Sequence, residues 1–254
     1  MIYMPSPERG IILAATEGKR LKPLTEFVPK TLLPLDRKPI IFHSIELFEH
    51  LGVKDVVITV EPKFGRKVQS TIERGYTGNI NIDFVVQETH NGIGFAILMC
   101  QDRIGDNSFF VRFADEYQPG VKALQPDDFA RDNAVLVVRR EHHPEYLLQN
   151  TNVEVDEDAR KVIGVSRNKN AMPRSNYHLC GLMTFPPVFF DILEKFKNRT
   201  DLYQNGEFST VHGIQHLIDS GNSVGYSECK GFYVNINTFK DLLRAYRYSL
   251  FEQK

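Results

Sequence analysis

The sequence lacks several features that mark common classes of protein. It has only three cysteines among 254 residues, and they form neither a CxxC pair nor a zinc-ligand spacing. Thiols this sparse are typical of a reducing compartment. We therefore expect Cys100, Cys180 and Cys229 to be buried apolar side chains of a cytoplasmic protein.

An excess of one charge sign and long apolar runs are also missing. The formal net charge is −1 and no basic block occurs, which argues against nucleic acid as a partner. Residues 1–9 lack the apolar core of a signal peptide. No apolar run approaches the roughly 20 residues that span a bilayer, so we expect no membrane partner.

Apolar residues follow strand and helix periodicities in turn, which is typical of α/β proteins. Strands are predicted at 10–15, 55–60, 80–87, 108–114, 134–139, 177–185 and 223–228, with a hairpin at 153–165. Helices are predicted at 38–52, 63–74, 94–101, 187–197, 210–220 and 238–251. The pattern indicates a parallel sheet with helices on both faces, followed after about residue 140 by a more mixed arrangement.

The most informative segment runs from Gly10 to Leu35. A strand that reads as buried leads into a turn at Gly18, and Arg20 and Lys30 follow it. Glycine lets backbone N–H groups turn toward an anion, and the two cations add permanent positive charge. This combination is suited to holding a triphosphate.

The segment resembles the signature of the nucleotidyltransferases that join a nucleoside triphosphate to a sugar 1-phosphate. The family pattern L-A-G-G-x-G-T-R-L-x-P-x-T, then P-K-x-L-x-P, stands here as LAATEGKRLKPLT and PKTLLP. Thr16 and Glu17 depart from the glycine-rich loop. The resemblance implies that Arg20 and Lys30 hold the triphosphate and promote departure of pyrophosphate. It also implies a nucleotide-binding loop formed by Leu13, Ala14, Ala15, Gly18 and Lys19.

A second block, VVQETHNGIGFA, is similar to the family's Q-E-x-x-x-G-T-A. The resemblance implies that Gln87 and Gly92 contact the base. A glutamine side chain offers one donor and one acceptor group, enough to read a pyrimidine edge. A pyrimidine triphosphate is therefore favoured, with GTP as an alternative.

Two further blocks imply a magnesium site. Asp115 follows the strand FFVRFA, at the edge where parallel sheets bind ligands, and the family has Gly-Asp here. The segment FYVNINTFKDLLRA is similar to W-x-D-x-G-T-x-x-D-L-x-x-A, so Asn235 and Asn237 stand for Asp and Gly. The resemblance implies that Asp115 and Asn235 bind Mg²⁺. An amide oxygen contributes less charge than a carboxylate, so we expect a weakened metal site.

The segment NKNAMPRSN resembles the family's E-K-P-x-x-P-K-S-N, which binds the acceptor. The resemblance implies that Lys169 holds the acceptor phosphate and that Gly181, in the next strand, lies against the acceptor. Asn168 replaces a glutamate that binds sugar hydroxyls, which puts a hexose acceptor in question.

The five blocks together imply a Rossmann-like three-layer α/β sandwich with a mostly parallel, mixed central sheet. We interpret 1–254 as a single domain, with a nucleotide-binding half at about 10–140 and an acceptor-binding half at about 141–246. The predicted reaction is Mg²⁺-dependent transfer of a nucleoside monophosphate to a phosphorylated small molecule, in nucleotide-sugar biosynthesis.

The expected partners are the triphosphate and that acceptor, and a sugar 1-phosphate is the first choice of acceptor. A homo-oligomer is an open alternative to a monomer. A cytidylyltransferase for a non-sugar phosphate or phosphonate is one alternative. A silent subunit that binds nucleotide sugars is another. A dehydrogenase is disfavoured because no GxGxxG follows the first strand.

Overall fold

The structure, a computed structural model, describes residues 6–89, 91–167, 172–203 and 206–252. The strands in these ranges are β1 (Arg9–Leu13), β2 (Pro34–Leu35), β3 (Lys38–Pro39), β4 (Asp55–Val60), β5 (Asn81–Val86), β6 (Phe109–Phe113), β7 (Glu116–Tyr117), β8 (Ala134–Arg140), β9 (Asn152–Asp156), β10 (Lys161–Ser166), β11 (Tyr177–Phe185), β12 (Val224–Glu228) and β13 (Val234–Asn235).

The α-helices in the same ranges are α1 (Leu24–Phe27), α2 (Ile40–His50), α3 (Gly65–Gly75), α4 (Ile93–Leu98), α5 (Gln101–Ile104), α6 (Pro144–Gln149), α7 (Val188–Phe196), α8 (Val211–Asp219) and α9 (Phe239–Arg247). Short 3₁₀ turns occur at Lys19–Leu21, Lys30–Leu32, Pro119–Ala123, Pro126–Phe129 and Thr200–Leu202, and a π-helical turn at Tyr248–Glu252. In the described part of the chain, none of these helices has the length and apolar character needed to cross a bilayer.

The nine longer strands form one mixed sheet in the order β5-β4-β1-β6-β11-β8-β12-β10-β9. Parallel pairing joins β5, β4, β1 and β6, and also β8 and β12. Only β10 and β11 run against their neighbours in this sheet, so its other seven strands share one direction. The predicted Rossmann-like α/β fold with a mixed, mostly parallel sheet is confirmed.

Helices cover both faces of the sheet, which explains why β1 is apolar without alternation. Successive side chains of a strand point to opposite faces. Ile11 lies in a core cluster with residues of α4, α7 and α8, whereas Ile12 lies in a second cluster with residues of α2 and α3. The three predicted cysteines are buried in these clusters.

The predicted strands and helices agree with the structure to within about two residues in most cases, and the differences lie in short elements. The helix predicted at 94–101 is broken into α4 and α5, and that predicted at 238–251 changes from α to π geometry after Arg247. The sequence pattern missed α1, α6, β2, β3, β7 and β13. The last two pair in an antiparallel ribbon that sets Asn235 opposite Glu116.

Candidate active site

The loop after β1 is anchored at the carboxyl edge of the sheet. The N–H of Ala14 donates to the carbonyl and the hydroxyl oxygen of Thr59, at 3.2 Å each. Gly18 has φ of +59°, and a Cβ there would lie 2.7 Å from Cγ2 of Thr25. The Thr25 hydroxyl in turn donates to the Gly18 carbonyl at 2.9 Å. The turn therefore requires glycine at this position.

The loop presents groups that suit an anion. Within the described ranges, the N–H groups of Ala15 and Gly18 donate to no other residue. Arg20 is exposed. Lys19 pairs with Glu17 at 2.9 Å, and this contact raises the pKa of Lys19. Glu17 thus offsets the charge of Lys19 within the loop.

Lys30 is the best-defined cation of the site, because its side chain is only 2% exposed. Its Nζ donates to Oδ2 of Asp115 at 2.7 Å and to Oδ1 of Asn237 at 3.0 Å. A buried ammonium needs such partners, since desolvation of an unpaired charge is costly. Three segments far apart in the sequence therefore meet at one lysine, and a Cβ on Gly18 would lie 3.4 Å from this lysine's Cβ.

Asn235 joins the cluster through Asn237, whose Nδ2 donates to Oδ1 of Asn235 at 2.7 Å. Asp115 itself holds this segment in place, since its carbonyl accepts the N–H of Ile236 at 2.9 Å. The motif does not predict Asn237 as a site residue, because the family pattern has glycine at this position. The Asn237 side chain bonds to both Asn235 and Lys30. The two predicted metal ligands, Asn235 and Asp115, are thus linked by hydrogen bonds through Asn237 and Lys30.

The residues present fit a magnesium ion that is shared with a substrate. Among the described residues no group of three or more His, Cys, Asp or Glu side chains could hold a metal. Asp115 and Asn235 offer one carboxylate, one amide oxygen and one negative charge. Mg²⁺ is usually held by one or two carboxylates together with substrate phosphates. Their oxygen donors therefore suit Mg²⁺ when a triphosphate completes the coordination.

Glu116, next to Asp115, points into the protein instead. Its Oε2 accepts the N–H of Gly181 at 2.7 Å, and its Oε1 accepts the hydroxyl of Tyr233 at 2.8 Å. Burial raises the pKa of this carboxyl group to about 7, although Arg112, with Nη1 at 3.6 Å, opposes the shift. Glu116 is therefore a structural carboxylate that ties β7 to β11.

Gly181 is explained by packing in the sheet. Its carbonyl accepts Nη1 of Arg112 at 3.3 Å, and a Cβ there would lie 2.6 Å from Cβ of Phe113. With its N–H also donated to Glu116, both backbone polar groups of Gly181 have protein partners. Contact of Gly181 with the acceptor stays a prediction.

Of the two predicted base contacts, Gln87 lies near the anchored loop and Gly92 packs against Phe208. Gln87 is 4% exposed, its Nε2 donates to the Thr89 carbonyl at 3.0 Å, and its N–H donates to the end of β4 at Val60. Gly92 has φ of +104°, and a Cβ there would lie 2.4 Å from the carbonyl oxygen of Phe208. Close approach of the backbone explains this glycine without a ligand, so contact with the base also stays a prediction.

The acceptor segment is described only in part, and the predicted residues Asn168 and Lys169 lie outside the described residues. The described end of the segment is held by Asn152. Its Nδ2 donates to the carbonyls of Ser175 and Tyr177, at 2.9 Å each, and its Oδ1 accepts the N–H of Arg174 at 3.1 Å.

A cavity of about 370 Å³ lies at the same edge of the sheet, lined in part by Tyr146, Tyr233 and Arg244. Tyr233 precedes Asn235 by two residues, and its hydroxyl donates to Glu116, the neighbour of Asp115.

Comparison with known proteins gives one family and one fold. A sequence profile described as nucleotidyl transferase matches residues 9–250. A glucose-1-phosphate thymidylyltransferase of Streptomyces griseus is 25% identical over 241 residues, which cover 94% of this chain and 65% of that protein. The present chain thus spans just under two thirds of the relative's length.

Two solved structures share the fold. A UDP-glucose pyrophosphorylase complexed with UDP-glucose superposes with a TM-score of 0.82 at 18% identity, covering 97% of this chain and 100% of the other. The inositol-1-phosphate CTP transferase from T. maritima superposes with a TM-score of 0.75 at 18% identity, covering 97% and 96%. At this identity the likeness concerns the fold alone.

Proposed function

Because the chain belongs to the nucleotidyl transferase family, we propose that it transfers a nucleoside monophosphate from a triphosphate to a phosphorylated small molecule. A phosphate oxygen of the acceptor attacks the α-phosphorus, the bond to the β-phosphate oxygen breaks, and pyrophosphate leaves. The preferred acceptor is a sugar 1-phosphate, since the Streptomyces relative is named for glucose 1-phosphate.

One observation carries this proposal: the buried Lys30 ammonium lies 2.7 Å from Asp115 at the carboxyl edge of the parallel strands. Ligands of open α/β sheets bind at this edge. Phosphoryl transfer depends mainly on positioning and on neutralising the charge of the leaving group. Lys30 supplies a cation for the pyrophosphate, and the exposed Arg20 supplies a second one from the anchored loop.

Asp115 and Asn235 would hold Mg²⁺, which when bound offsets charge on the triphosphate. The loop N–H groups of Ala15 and Gly18 bind phosphate oxygens. Gln87 reads the base, and its single donor and acceptor groups favour a pyrimidine. These roles rest on the family pattern together with the positions of the side chains at one edge of the sheet.

We place the acceptor in the cavity beside Tyr233. Its lining includes the cationic side chain of Arg244 and the side chain of Tyr146. Lys169 holds the reacting phosphate, as the family pattern implies. In this position the acceptor lies beside the segment that carries Asn235, two residues after Tyr233.

An assay of pyrophosphate release tests the proposal. The protein is incubated with Mg²⁺, each of CTP, UTP, dTTP, GTP and ATP, and a panel of sugar 1-phosphates. We expect turnover with one pyrimidine nucleotide, and a loss of roughly 100-fold in Lys30→Ala and Asp115→Ala. Lys195→Ala, an exposed residue of α7, is the matched control. Folded protein that is inactive across the panel would contradict the proposal.

A second candidate is a cytidylyltransferase that acts on a non-sugar phosphate or phosphonate. Asn168 stands where the family has a sugar-binding glutamate, and one structural neighbour is named an inositol-1-phosphate CTP transferase. Adding inositol 1-phosphate and a small phosphonate to the panel separates the two. Turnover with CTP and these acceptors alone favours the second candidate.

A third candidate is a nucleotide-sugar-binding subunit without catalytic activity. The ion pair of Glu17 with Lys19 in the loop and the neutral ligand Asn235 favour it. This third candidate predicts that a nucleotide raises the melting temperature of the protein in a thermal-shift screen, while no pyrophosphate forms.

A further inference from the structure

The ion pair of Lys30 and Asp115 is held by a residue for which the family pattern has glycine. Oδ1 of Asn237 accepts Nζ of Lys30 at 3.0 Å. The backbone N–H of Asn237 donates to Oδ2 of Asp241 at 3.2 Å, and this carboxylate is fixed in the capping box of α9. The backbone of Asn237 is therefore held by the N-terminus of α9, while its side chain contacts Lys30 in the site.

The chemistry of the side chains fixes which atom donates and which accepts in the hydrogen bonds that join Lys30, Asn237 and Asn235. A lysine ammonium can only donate, so Asn237 must present its oxygen to Lys30. Its amide nitrogen then faces Asn235 and donates to Oδ1 at 2.7 Å. The oxygen that Asn235 would offer to a metal is thus already an acceptor within the protein.

The charges of the cluster cancel. Within the described ranges the ion pair of Lys30 is with Asp115, whose Oδ2 lies 2.7 Å from the ammonium. The carboxylate of Glu116 is turned toward Gly181 and Tyr233, and that of Asp241 accepts from Asn237 and Thr238. A divalent cation that approaches the free protein therefore meets no net negative charge, and Oδ2 of Asp115 and Oδ1 of Asn235 already have partners.

We propose that Asn237 is a positioning residue that keeps Lys30 on Asp115, so that the metal site is closed to a free divalent cation. A nucleoside triphosphate opens the site by drawing the ammonium onto its phosphates, and the cation enters bound to those phosphates. The opening step rests on the proposed function, whereas the closed state of the free protein does not.

Binding of Mn²⁺ to the free protein tests the closed state, with the signal of unbound Mn²⁺ followed by electron paramagnetic resonance. We expect Asn237→Gly to bind Mn²⁺ roughly tenfold more tightly than the natural protein, the effect of one lost hydrogen bond to a charged group. Lys30→Met should bind it more tightly still. Asn198→Gly, a change at an exposed residue after α7, should leave the affinity unchanged.

Asn237→Ser, which is too short to reach Lys30, repeats the test if the glycine variant does not fold. Affinities of the Asn237 variants equal to that of the natural protein would overturn the proposal. Weaker binding would also overturn it, because Asn237 would then be a metal ligand itself.

A second titration tests the opening step, with Mn²⁺ added to protein saturated with the triphosphate that thermal-shift screening selects. Acceptor is left out so that no turnover occurs. We expect the natural protein and Asn237→Gly to have the same Mn²⁺ affinity here, since Lys30 has left Asp115 in both.

A tenfold difference that persists with nucleotide would overturn the opening step. Failure of every nucleotide to bind would overturn the proposed function and leave the closed state standing on the first titration.

Discussion

At the scale of single residues, the buried Lys30 needs Asp115 as a partner more than Asp115 needs Lys30. Lys30 is 2% exposed, whereas the Asp115 side chain is 19% exposed. Removing the carboxylate leaves a buried ammonium with Asn237 as its remaining partner. Removing the ammonium leaves a carboxylate that water can still reach. Loss of one partner of a buried pair is strongly destabilising when the other charge stays buried.

We therefore predict that Asp115→Ala lowers the free energy of unfolding by about 3 kcal/mol. Lys30→Met, which keeps the volume and removes the charge, should lower it by about 1 kcal/mol or less. Urea unfolding measures both values. Equal losses of stability in the two variants would contradict the prediction that the more deeply buried Lys30 depends more strongly on its partner.

His178 gives the protein a pH-dependent stability that is separate from the proposed chemistry. Its ring is fully buried between Tyr146 and Tyr233, with centroids at 5.3 and 5.2 Å. Burial lowers the pKa of His178 from 6.5 to about 4. The unfolded chain thus binds this proton more readily than the folded one, and the slope of stability with pH is positive in that window.

The expected result is that His178 costs the protein about 3 kcal/mol of stability as the pH falls from 6.5 to 4, and nothing above pH 7. His178→Phe removes the titrating group. The difference in free energy of unfolding between natural protein and variant should therefore be constant above pH 7 and shift in favour of the variant below pH 6.5. A difference that stays constant down to pH 4 would contradict the buried neutral ring.

The sequence predicted Lys30 and Asp115 as site residues because each lies in a motif whose spacing matches a known family. It could not predict Asn237, since the matching position is glycine and a pattern assigns no role to a side chain that the family lacks. Gly181 and Gly92 illustrate the opposite case. Their motif positions are explained by contacts with Phe113 and Phe208, which no sequence spacing reveals.

At the scale of elements, the start of α4 depends on the backbone around Phe208. The carbonyl of Asn91 accepts the N–H of Phe208 at 2.8 Å, and the carbonyl of Phe208 accepts the N–H of Gly94 at 3.0 Å. Gly92 lies between these bonds with φ of +104°. The loop that carries the predicted base contacts is thus docked onto the segment before α8.

We predict that Gly92→Ala lowers the free energy of unfolding by about 3 kcal/mol or more, since backbone overlap and a positive φ each cost about 1–3 kcal/mol. Gly221 is the control, because its φ is +79° and nothing lies within 4 Å of an added Cβ. Gly221→Ala should cost about 1 kcal/mol from its backbone conformation alone. Similar losses at the two glycines would show that the contact with Phe208 is unimportant.

Elements were predictable where their periodicity extends over several residues. The bounds of β4 and β11 follow from apolar runs with turn signals on both sides. In contrast, α6 has six residues and β7 and β13 have two each, too few to show a period. The ribbon of β7 and β13 forms through pairing between positions more than 100 residues apart, and it sets Asn235 opposite Glu116, the neighbour of Asp115.

At the scale of the whole molecule, the two halves interpreted from the sequence share one sheet. Strand β11 lies between β6 and β8, so a strand from the second half separates two strands from the first. The second-half strand β12 pairs in parallel with β8. Neither half can complete its sheet alone, and we expect the chain to unfold as one cooperative unit.

The lack of tryptophan makes this expectation directly measurable, because a single tryptophan then reports one region of the chain. Phe84→Trp places the reporter in β5 at one edge of the sheet, and Tyr226→Trp places it in the second-half strand β12. Both residues are half-buried, so each variant should tolerate the larger ring and show a change of fluorescence on unfolding. We predict urea transitions with the same midpoint and slope for both reporters, coincident with the loss of helical circular dichroism. Transitions at separate midpoints would show that the halves unfold independently, which the position of β11 argues against.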